Sequence, residues 1–298
     1  MKKLIYLAFV LALLAALAPC AYAQKVDVST YVLNLGKFDV ATGAFTADFY
    51  LSMKCEDNCS GINFEFVNGR AASVDKITDE DNEKFYRIQA NLNSPVDLKK
   101  FPFDRQQMQI ILEDKKLTNS ELVFSPDVGA SGIDDSVVFP GWNIDGWKAE
   151  EKTHYYPVYD ESYSQYVFSI NISKIGINSF IKTFLPVVFI VLIIMCTFIL
   201  DPDKIVTRLT MVSTGLVASV MFHISISNQI PPVGYLTMAD KFMLLTYFFI
   251  LASFTLDVII LELIEQNKKE IAEKFHRATE YAVFIIVPIL YILLFLLF

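Results

Sequence analysis

Four apolar segments in the C-terminal half of the chain constrain the fold more than any other feature of the sequence. Each has about 18 to 22 residues, the length that a helix needs to cross a bilayer. They lie at 180–200, 205–226, 242–263 and 281–298. We therefore predict a membrane domain over 177–298, with helices near 178–200, 205–227, 237–263 and 278–298 and a short cytoplasmic loop at 264–279.

The composition supports a membrane protein and excludes several other classes. Hydrophobic residues make up 54% of the 298 residues and charged residues 19%, against about 25% in soluble domains. This apolar content excludes a disordered chain, and only 4 cysteines in this length exclude a small disulfide-rich scaffold. The net charge of −8 argues against nucleic acid as a partner, because phosphate binding requires clustered Lys and Arg.

The first 23 residues have the parts of a cleavable signal peptide for secretion. A basic start at 2–3 precedes an apolar run at 4–17, and the small-residue sequence Ala-Tyr-Ala ends at Ala23. Cys20 allows a lipoprotein alternative, but Pro19 stands where such sites carry a small residue. We therefore predict a signal peptide at 1–23 that is removed after Ala23.

Export of the N-terminal domain gives the predicted orientation. The loop at 264–279 contains four basic residues and would be cytoplasmic, as would the short turn at 201–204. Both assignments agree with the positive-inside rule. We expect a multi-pass protein of the cell (inner) membrane, with the N-terminal domain and the C-terminus on the outer or periplasmic side.

Residues 24–176 have the composition and the alternating pattern of a soluble β domain. They contain 24 acidic and 15 basic residues, a net charge of −9. Several runs alternate apolar and polar residues, as half-buried strands do, and turn-rich segments separate them. We predict an antiparallel, all-β immunoglobulin-like sandwich, with strands that include 26–35, 45–53, 62–67, 85–92, 108–112 and 166–172.

Cys55 and Cys59 are the cysteine pair of this exported part. Export places them in an oxidising compartment, which favours a disulfide bond between them. A pair of reduced thiols is the alternative. A metal site is less favoured, because no His or third Cys lies nearby in the sequence.

The second predicted span is more polar than the other three. Six of its residues are separated by 4, 3, 4, 3 and 4 positions, so they share one helical face. This face could line a pore, or its hydroxyl groups could bond to the backbone or to neighbouring helices, and the spacing alone leaves both open. The six residues are Thr210, Thr214, Val217, Met221, Ile224 and Asn228.

The sequence Phe-Pro-Phe-Asp-Arg-Gln-Gln at 101–107 resembles the signature loop of the pentameric ligand-gated ion channels, also called Cys-loop receptors. The order of the other features is similar: a secreted β domain, Pro186 in the first span, a hydroxyl-rich second span and a Pro-containing outer loop. The two cysteines that close the family's loop would align with Ser94 and Met108. The chain is therefore similar to prokaryotic members, which lack this bridge.

The resemblance covers residues 25–298 and implies a homopentameric ligand-gated channel. The six-residue face of the second span would line the pore, with a polar ring below an apolar constriction that gates by dewetting. The partners implied are further copies of the chain, the lipid bilayer, permeating ions and a small-molecule or ionic agonist. No cofactor is expected.

Asp203, Thr207 and Arg208 are predicted to lie at the inner pore mouth. Cation-selective relatives commonly carry Glu where this chain has Thr207, so the usual acidic ring is absent. The acidic external domain would concentrate cations, which favours a cation channel. Asp257, an ionisable residue within the third span, marks a functional residue or one with an internal partner. Arg208 and Lys204 are candidate partners, and a structural role is expected.

The resemblance also implies a ligand site and a coupling site. Agonists of this family bind between subunits in an aromatic box closed by a hairpin, which matches a stretch with five tyrosines at 153–166. Aromatic faces attract ammonium groups, although tyrosines at strand edges are also common structural features. The predicted ligand-binding residues are Phe139, Tyr155, Tyr156, Tyr159, Tyr163 and Tyr166, and the predicted coupling residues are Asp39, Pro102, Phe103, Asp104, Lys174 and Pro231, with an ion pair between Asp104 and Lys174.

Two other functions fit the sequence less well. A non-conducting membrane-bound solute sensor is the main alternative, but the predicted cytoplasmic loop is too short to form a signalling domain. An enzyme is not expected, because the 3 His residues are far apart in the predicted topology and no nucleophile–base pattern is present. The agonist stays open among protons, a primary amine, a divalent cation and an unknown metabolite.

Overall fold

The computed structural model describes residues 23–56, 58–59 and 61–297. The predicted signal peptide at 1–23 lies outside the described residues, except for Ala23, and so does Cys20. The prediction of a cleaved signal therefore stays a prediction.

The N-terminal part of the described chain is built of strands. Their alternating pattern is clearest in the second strand, where every other residue from Phe45 to Cys55 is buried. Alternation of this kind places one side of a strand in a core and the other in solvent. The strands are β1 (Gln24–Leu35), β2 (Ala44–Cys55), β3 (Phe64–Phe66), β4 (Gly69–Asp79), β5 (Glu83–Asn93), β6 (Arg105–Asp114), β7 (Leu122–Pro126), β8 (Gly132–Ile133), β9 (Trp142–Tyr156) and β10 (Glu161–Lys174).

These strands form two sheets that enclose one apolar core. The six-stranded sheet has the order β4-β5-β2-β1-β7, with β8 also paired to β1, and the four-stranded sheet has the order β3-β6-β10-β9. Buried side chains from both sheets, including Phe49, Phe124 and Phe168, meet between them. The predicted β sandwich is confirmed, with one difference: β1 pairs in parallel with β7 and β8, whereas the other pairs are antiparallel.

Two long strands, β4 and β9, are absent from the sequence prediction. In β4 nearly every residue is exposed or half-buried, including Val74 and Ile77. It lies at the edge of its sheet and pairs only with β5. A strand without a buried face has no alternation of apolar and polar residues, so the sequence of β4 does not reveal it as a strand.

The C-terminal part consists of helices that pack around a second apolar core. Phe184, Phe242 and Phe198 are among its buried side chains. The helices are α1 (Gly176–Thr183), α2 (Leu185–Thr197), a short 3₁₀ turn at Pro202–Lys204, α3 (Ile205–Ser227), α4 (Met238–Glu265) and α5 (Lys269–Leu296). Three of them, α3 with the preceding turn, α4 and α5, are long and apolar enough to cross a membrane.

The predicted first span is interrupted. Helices α1 and α2 meet at Phe184 with a bend of 48°, so they make a fourth span only if the bent pair is counted as one. Pro186 lies at the start of α2. Proline lacks a backbone N–H and is tolerated in the first turn of a helix, which explains why a new helix begins here.

The predicted loop at 264–279 is wrong for most of its length. Helix α4 continues to Glu265 and α5 already begins at Lys269, so only three residues separate them. Ala272, His276 and Thr279 of this segment are buried, at intervals of four and three residues. Charged residues cover the other side, and this amphipathic pattern extends the helix beyond the apolar run that the prediction used.

The cysteine pair is placed as predicted. Cys55 and Cys59 lie with Cα atoms 5.6 Å apart in disulfide geometry, and both are buried. Formation of this bond in the cell stays a prediction.

Candidate functional site

The predicted pore face of α3 lies on the outside of the single subunit. Val217, Met221 and Ile224 are 64%, 65% and 52% exposed, and Thr210, Thr214 and Asn228 are exposed as well. The opposite side of α3 is buried against the other helices, at Val212, Ser219 and Ile226. The helix therefore has one face packed in its own subunit and one face free to meet another surface.

The hydroxyl groups on this face bond to the backbone of their own helix. Oγ1 of Thr210 donates to the carbonyl of Val206, and Oγ1 of Thr214 donates to the carbonyl of Thr210, both at 2.8 Å. The backbone alternative for these hydroxyl groups is therefore present, but it leaves the face exposed. Because each proton is used within the helix, the oxygen lone pairs remain as acceptors on the outside.

Arg208 does not reach the exposed face, which corrects its predicted place at the pore mouth. Its side chain is 0% exposed and lies inside the helical bundle. An α-helix turns 100° per residue, so a residue two positions before Thr210 lies about 160° from the centre of the exposed face. The spacing alone predicts this position, whereas the resemblance led to the wrong one. Asp203 and Thr207, the other two predicted mouth residues, are exposed.

Two other helices and the residue that follows α2 supply the surroundings of Arg208. Nη2 of Arg208 is 2.6 Å from Oδ1 of Asp257 on α4, and Nη1 is 3.0 Å from Nδ1 of His276 on α5. The guanidinium carbon lies 4.8 Å from the ring centre of Phe198, which follows α2. Of the two candidate partners of Asp257, Arg208 is thus the one that the structure places beside it.

The β9–β10 hairpin separates the predicted ligand-binding residues onto different faces. Tyr163 stands opposite His154, and Gln165 stands opposite Glu113 of β6, so these four residues share the outer face of the four-stranded sheet. Tyr156 lies on the same side, where its ring stacks on His154 at 4.3 Å and meets Tyr163 edge-on at 5.6 Å. Opposite residues in an antiparallel pair point to the same face.

A buried carboxylate lies beneath this aromatic group. Glu113 accepts hydrogen bonds from the hydroxyl of Tyr156 at 3.0 Å and from the amide of Gln165 at 2.8 Å. Burial raises the pKa of Tyr156 to about 12, and the hydrogen bond to Glu113 is the second largest cause of this rise. The same amide nitrogen lies 2.8 Å from Nδ1 of His154. Glu113 is not among the predicted site residues, because it lies outside the hairpin and only the strand register brings it there.

Phe139 and Tyr166 are wrong as ligand contacts. Both are buried in the core of the sandwich, at 5% and 0% exposure. Tyr166 is one position out of phase with Tyr163 and Gln165, and an odd step along a strand reverses the face. Tyr155 and Tyr159 are exposed, and the hydroxyl of Tyr155 donates to Asp160 at the tip of the hairpin at 2.8 Å.

The loop that carries the family resemblance docks on the membrane domain. The backbone N–H groups of Met238 and Ala239, at the start of α4, donate to the carbonyls of Lys99 and Phe101 at 2.9 and 3.1 Å. The first N–H groups of a helix have no partner within the helix, so the loop satisfies them. The loop and the start of α4 therefore form one hydrogen-bonded joint.

Side chains extend this joint on both sides. The hydroxyl of Tyr235 accepts a hydrogen bond from the backbone N–H of Leu98 at 2.9 Å. The ring of Phe103, a predicted coupling residue, lies 5.9 Å from that of Phe184 between α1 and α2. Pro102 is buried in the same loop and Pro231 is half-buried in the outer loop. Tyr235 and Leu98 were missed by the sequence reasoning, which considered only the prolines of the outer loop.

Asp104 and Lys174 are adjacent, but they form no ion pair within 4.0 Å in the part of the chain that the structure describes. The backbone N–H of Lys174 donates to the carbonyl of Asp104 at 3.0 Å. Nζ of Lys174 lies over the ring of Trp142, 4.1 Å from its centre. The predicted ion pair is therefore absent, and the cation is stabilised by an aromatic face instead.

The carboxyl group of Asp104 is 1% exposed, and neither oxygen has a hydrogen-bond partner among the residues that the structure describes. Burial raises the pKa of Asp104 to about 7, against the opposing effect of the nearby Lys174 charge. Burial also lowers the pKa of Lys174. Asp39, in contrast, bonds within its own turn to the N–H of Ala41 and the hydroxyl of Thr42 at 2.9 Å, and these bonds lower its pKa.

No known family profile matches the chain, but three curated proteins are similar to it. The proton-gated ion channel of Gloeobacter violaceus is 26% identical over 185 residues, 61% of this chain and 51% of the relative. The theta subunit of the mouse gamma-aminobutyric acid receptor is 23% identical over 200 residues, 63% of this chain and 31% of the relative. Ligand-gated ion channel 50 of Caenorhabditis elegans is 22% identical over 217 residues, 68% of this chain and 42% of the relative.

The matched segments span about half the length or less of these relatives. The relatives are ion channels rather than enzymes, and their names support a general channel function for a multi-pass membrane protein. They support the resemblance to the pentameric ligand-gated ion channel family, and they support the expectation that the chain is not an enzyme.

Proposed function

We propose that the chain forms a homopentameric ligand-gated ion channel of the cell membrane, with the β domain outside and the pore lined by α3. The observation that carries the proposal is the face of α3 that its own subunit leaves uncovered, with threonines at one end and Val217, Met221 and Ile224 beyond them. A ring of such faces would surround an aqueous path with an apolar constriction.

The channel prefers cations. The threonine oxygens on the pore face act as acceptors, which suits cations better than anions. The external domain is acidic, and its field would raise the cation concentration at the outer entrance. The exposed charges at the inner end are mixed, since Asp203 and Lys204 are both exposed there.

The selectivity is expected to depend on ionic strength. Exposed charges are screened within about 10 Å at 0.1 M salt, so a preference that originates in the external domain weakens as salt rises. The measurement is the reversal potential in salt gradients at two mean concentrations. A cation preference that does not change with salt would place the selective element inside the pore, and a preference for anions would contradict this part of the proposal.

The agonist acts at the outer-face cluster of Glu113, His154, Tyr156, Tyr163 and Gln165. A buried carboxylate below stacked aromatic rings favours a cationic ligand, which includes a proton. Purified protein in a planar bilayer should therefore pass current after a pH step or after addition of a primary amine. Absence of current under both conditions, and with divalent cations, would favour the sensor alternative.

Replacing Glu113 with Gln tests the ligand site. The substitution keeps the size of the side chain but removes its charge, and we expect the agonist concentration for half-maximal current to change about tenfold, the effect of about 1.4 kcal/mol. The control is Glu161→Gln, an exposed carboxylate of the same hairpin that accepts a hydrogen bond from Tyr163. Equal effects of the two substitutions would contradict a specific role of Glu113.

A further inference from the structure

The helical bundle contains a buried ion pair that lies away from the pore face of α3. The side chains of Arg208 and Asp257 are both 0% exposed, and Nη2 of Arg208 lies 2.6 Å from Oδ1 of Asp257. Removing two charges from water can cost more free energy than their pairing returns. An ion pair in an otherwise apolar helical core therefore suggests a role beyond stability. The role follows from the positive charge that Arg208 would bring to the inner mouth of the pore if it left the pair.

Arg208 lies in the first turn of the pore helix, at its inner end, on the side opposite to the exposed face. It is preceded by Thr207, which is exposed, and its backbone lies one turn beyond the 3₁₀ segment that carries Asp203 and Lys204. An arginine side chain is long and flexible, and its charge persists at any physiological pH. Because Arg208 lies in the first turn of α3, a guanidinium released from the bundle could extend past the start of the helix at Ile205 to the inner mouth and add a positive charge in every subunit.

We propose that Asp257 is a positioning residue for ion selectivity, because it holds the guanidinium of Arg208 inside the bundle and away from the pore. The inference rests on the proposed channel function. Asp257 supplies the opposite charge from α4, and the ring of Phe198 covers the guanidinium plane.

His276 completes the enclosure from α5. Its Nδ1 lies 3.0 Å from Nη1 of Arg208. The guanidinium has only donors, so Nδ1 acts as the acceptor, and the imidazole is neutral with its proton on Nε2. The group then consists of one cation, one anion and one neutral acceptor, and it adds no net charge to the inner end of the pore helix.

Two variants distinguish the positioning of Arg208 by Asp257 from a purely structural role of the ion pair. Asp257→Asn removes the anion and leaves Arg208 unpaired, and the double variant Arg208→Gln with Asp257→Asn removes both charges together. In channels that conduct, we expect Asp257→Asn to shift the reversal potential in a salt gradient toward anion permeability and to lower the cation conductance. The double variant should keep the wild-type reversal potential and conductance.

Ser253→Ala is the matched control, because Ser253 is a buried polar residue one turn before Asp257 on the same side of α4. It should leave the reversal potential unchanged. If Asp257→Asn does not assemble, the double variant alone decides: wild-type selectivity supports the proposal, whereas an increased preference for cations would show that Arg208 already acts on the pore.

The failure of this inference differs from a failure of the channel function. Wild-type protein that passes no current would overturn the proposed function itself. Wild-type protein that conducts, together with an Asp257→Asn variant of unchanged reversal potential, would overturn only the role of Asp257. The same shift in the single and double variants would also overturn it, since the double variant has no arginine to release.

Discussion

Channels with Ser in place of Val217 are expected to leak in the absence of agonist. Val217 is 64% exposed at the middle of the pore face, where apolar side chains would keep the closed pore dry. The free energy of a buried Val side chain is lower than that of a hydrated one by about 1.5 kcal/mol or more. The substitution is repeated in each subunit. We expect the equilibrium to shift toward the open state by at least about tenfold, measured as resting current relative to maximal current.

Val220→Ser is the matched control for this substitution. Val220 is also exposed and lies on the same helix, but it is about 80° away from the centre of the pore face. It should change the resting current much less. Serine substitutions at Val217, Met221 and Ile224 that all leave gating unchanged would show that these residues do not form the constriction.

Replacing Asp104 with Asn is expected to remove a pH dependence of activation. The carboxyl group is buried without hydrogen-bond partners, and its pKa is raised from the ordinary value of 3.8 to about 7. Because the folded pKa is above the unfolded one, the docked arrangement of the loop is most stable below pH 3.8. It loses stability as the pH rises through about 7, by a few kcal/mol at most, on the order of 1.4 kcal/mol per pKa unit.

Currents at a fixed agonist concentration should therefore change between pH 5 and pH 8 in the wild type through this group, and Asn at position 104 should flatten that part of the change. Asp97→Asn is the comparison variant, because Asp97 is an exposed carboxylate of the same loop whose charge raises the pKa of Asp104, so its removal should lower the pH at which the change occurs without flattening it. The charge of Lys174 also faces Asp104, so Lys174→Gln should raise the pH at which the change occurs. An unaltered pH profile in Asp104→Asn would assign the pH dependence to other groups.

Much of the architecture could be predicted because it depends on simple periodicities. The bounds of α3 agree with the apolar run and its polar stripe, since a helix that is buried on one side has a period of 3.6 residues. The start of α5 could not be taken from the apolar run, because Ala272 and His276 are buried within a charged segment. Its amphipathic pattern was available in the sequence, but hydropathy alone does not detect it.

The candidate sites divide in a similar way. The exposed face of α3 required only the helical period, whereas the position of Tyr166 required the register of β10 against β6 and β9. A shift of one residue would have exchanged Tyr166 with Gln165 on the outer face. Glu113 reaches the hairpin only through that register. The family resemblance brought Asp104 and Lys174 together, but as an ion pair rather than through the backbone hydrogen bond that the structure has.

Cysteine accessibility along α3 tests the central claim most directly. In a background with Cys196 replaced by Ala, single cysteines would be introduced along the helix and treated with a charged thiol reagent while current is recorded. The reagent is expected to leave the current unchanged at Val212 and Ile226, which are buried on the opposite side, and to alter it at the six exposed positions Thr210, Thr214, Val217, Met221, Ile224 and Asn228. Reaction at Val212 and Ile226 with no effect at the six exposed positions would contradict the assignment of this face to the pore.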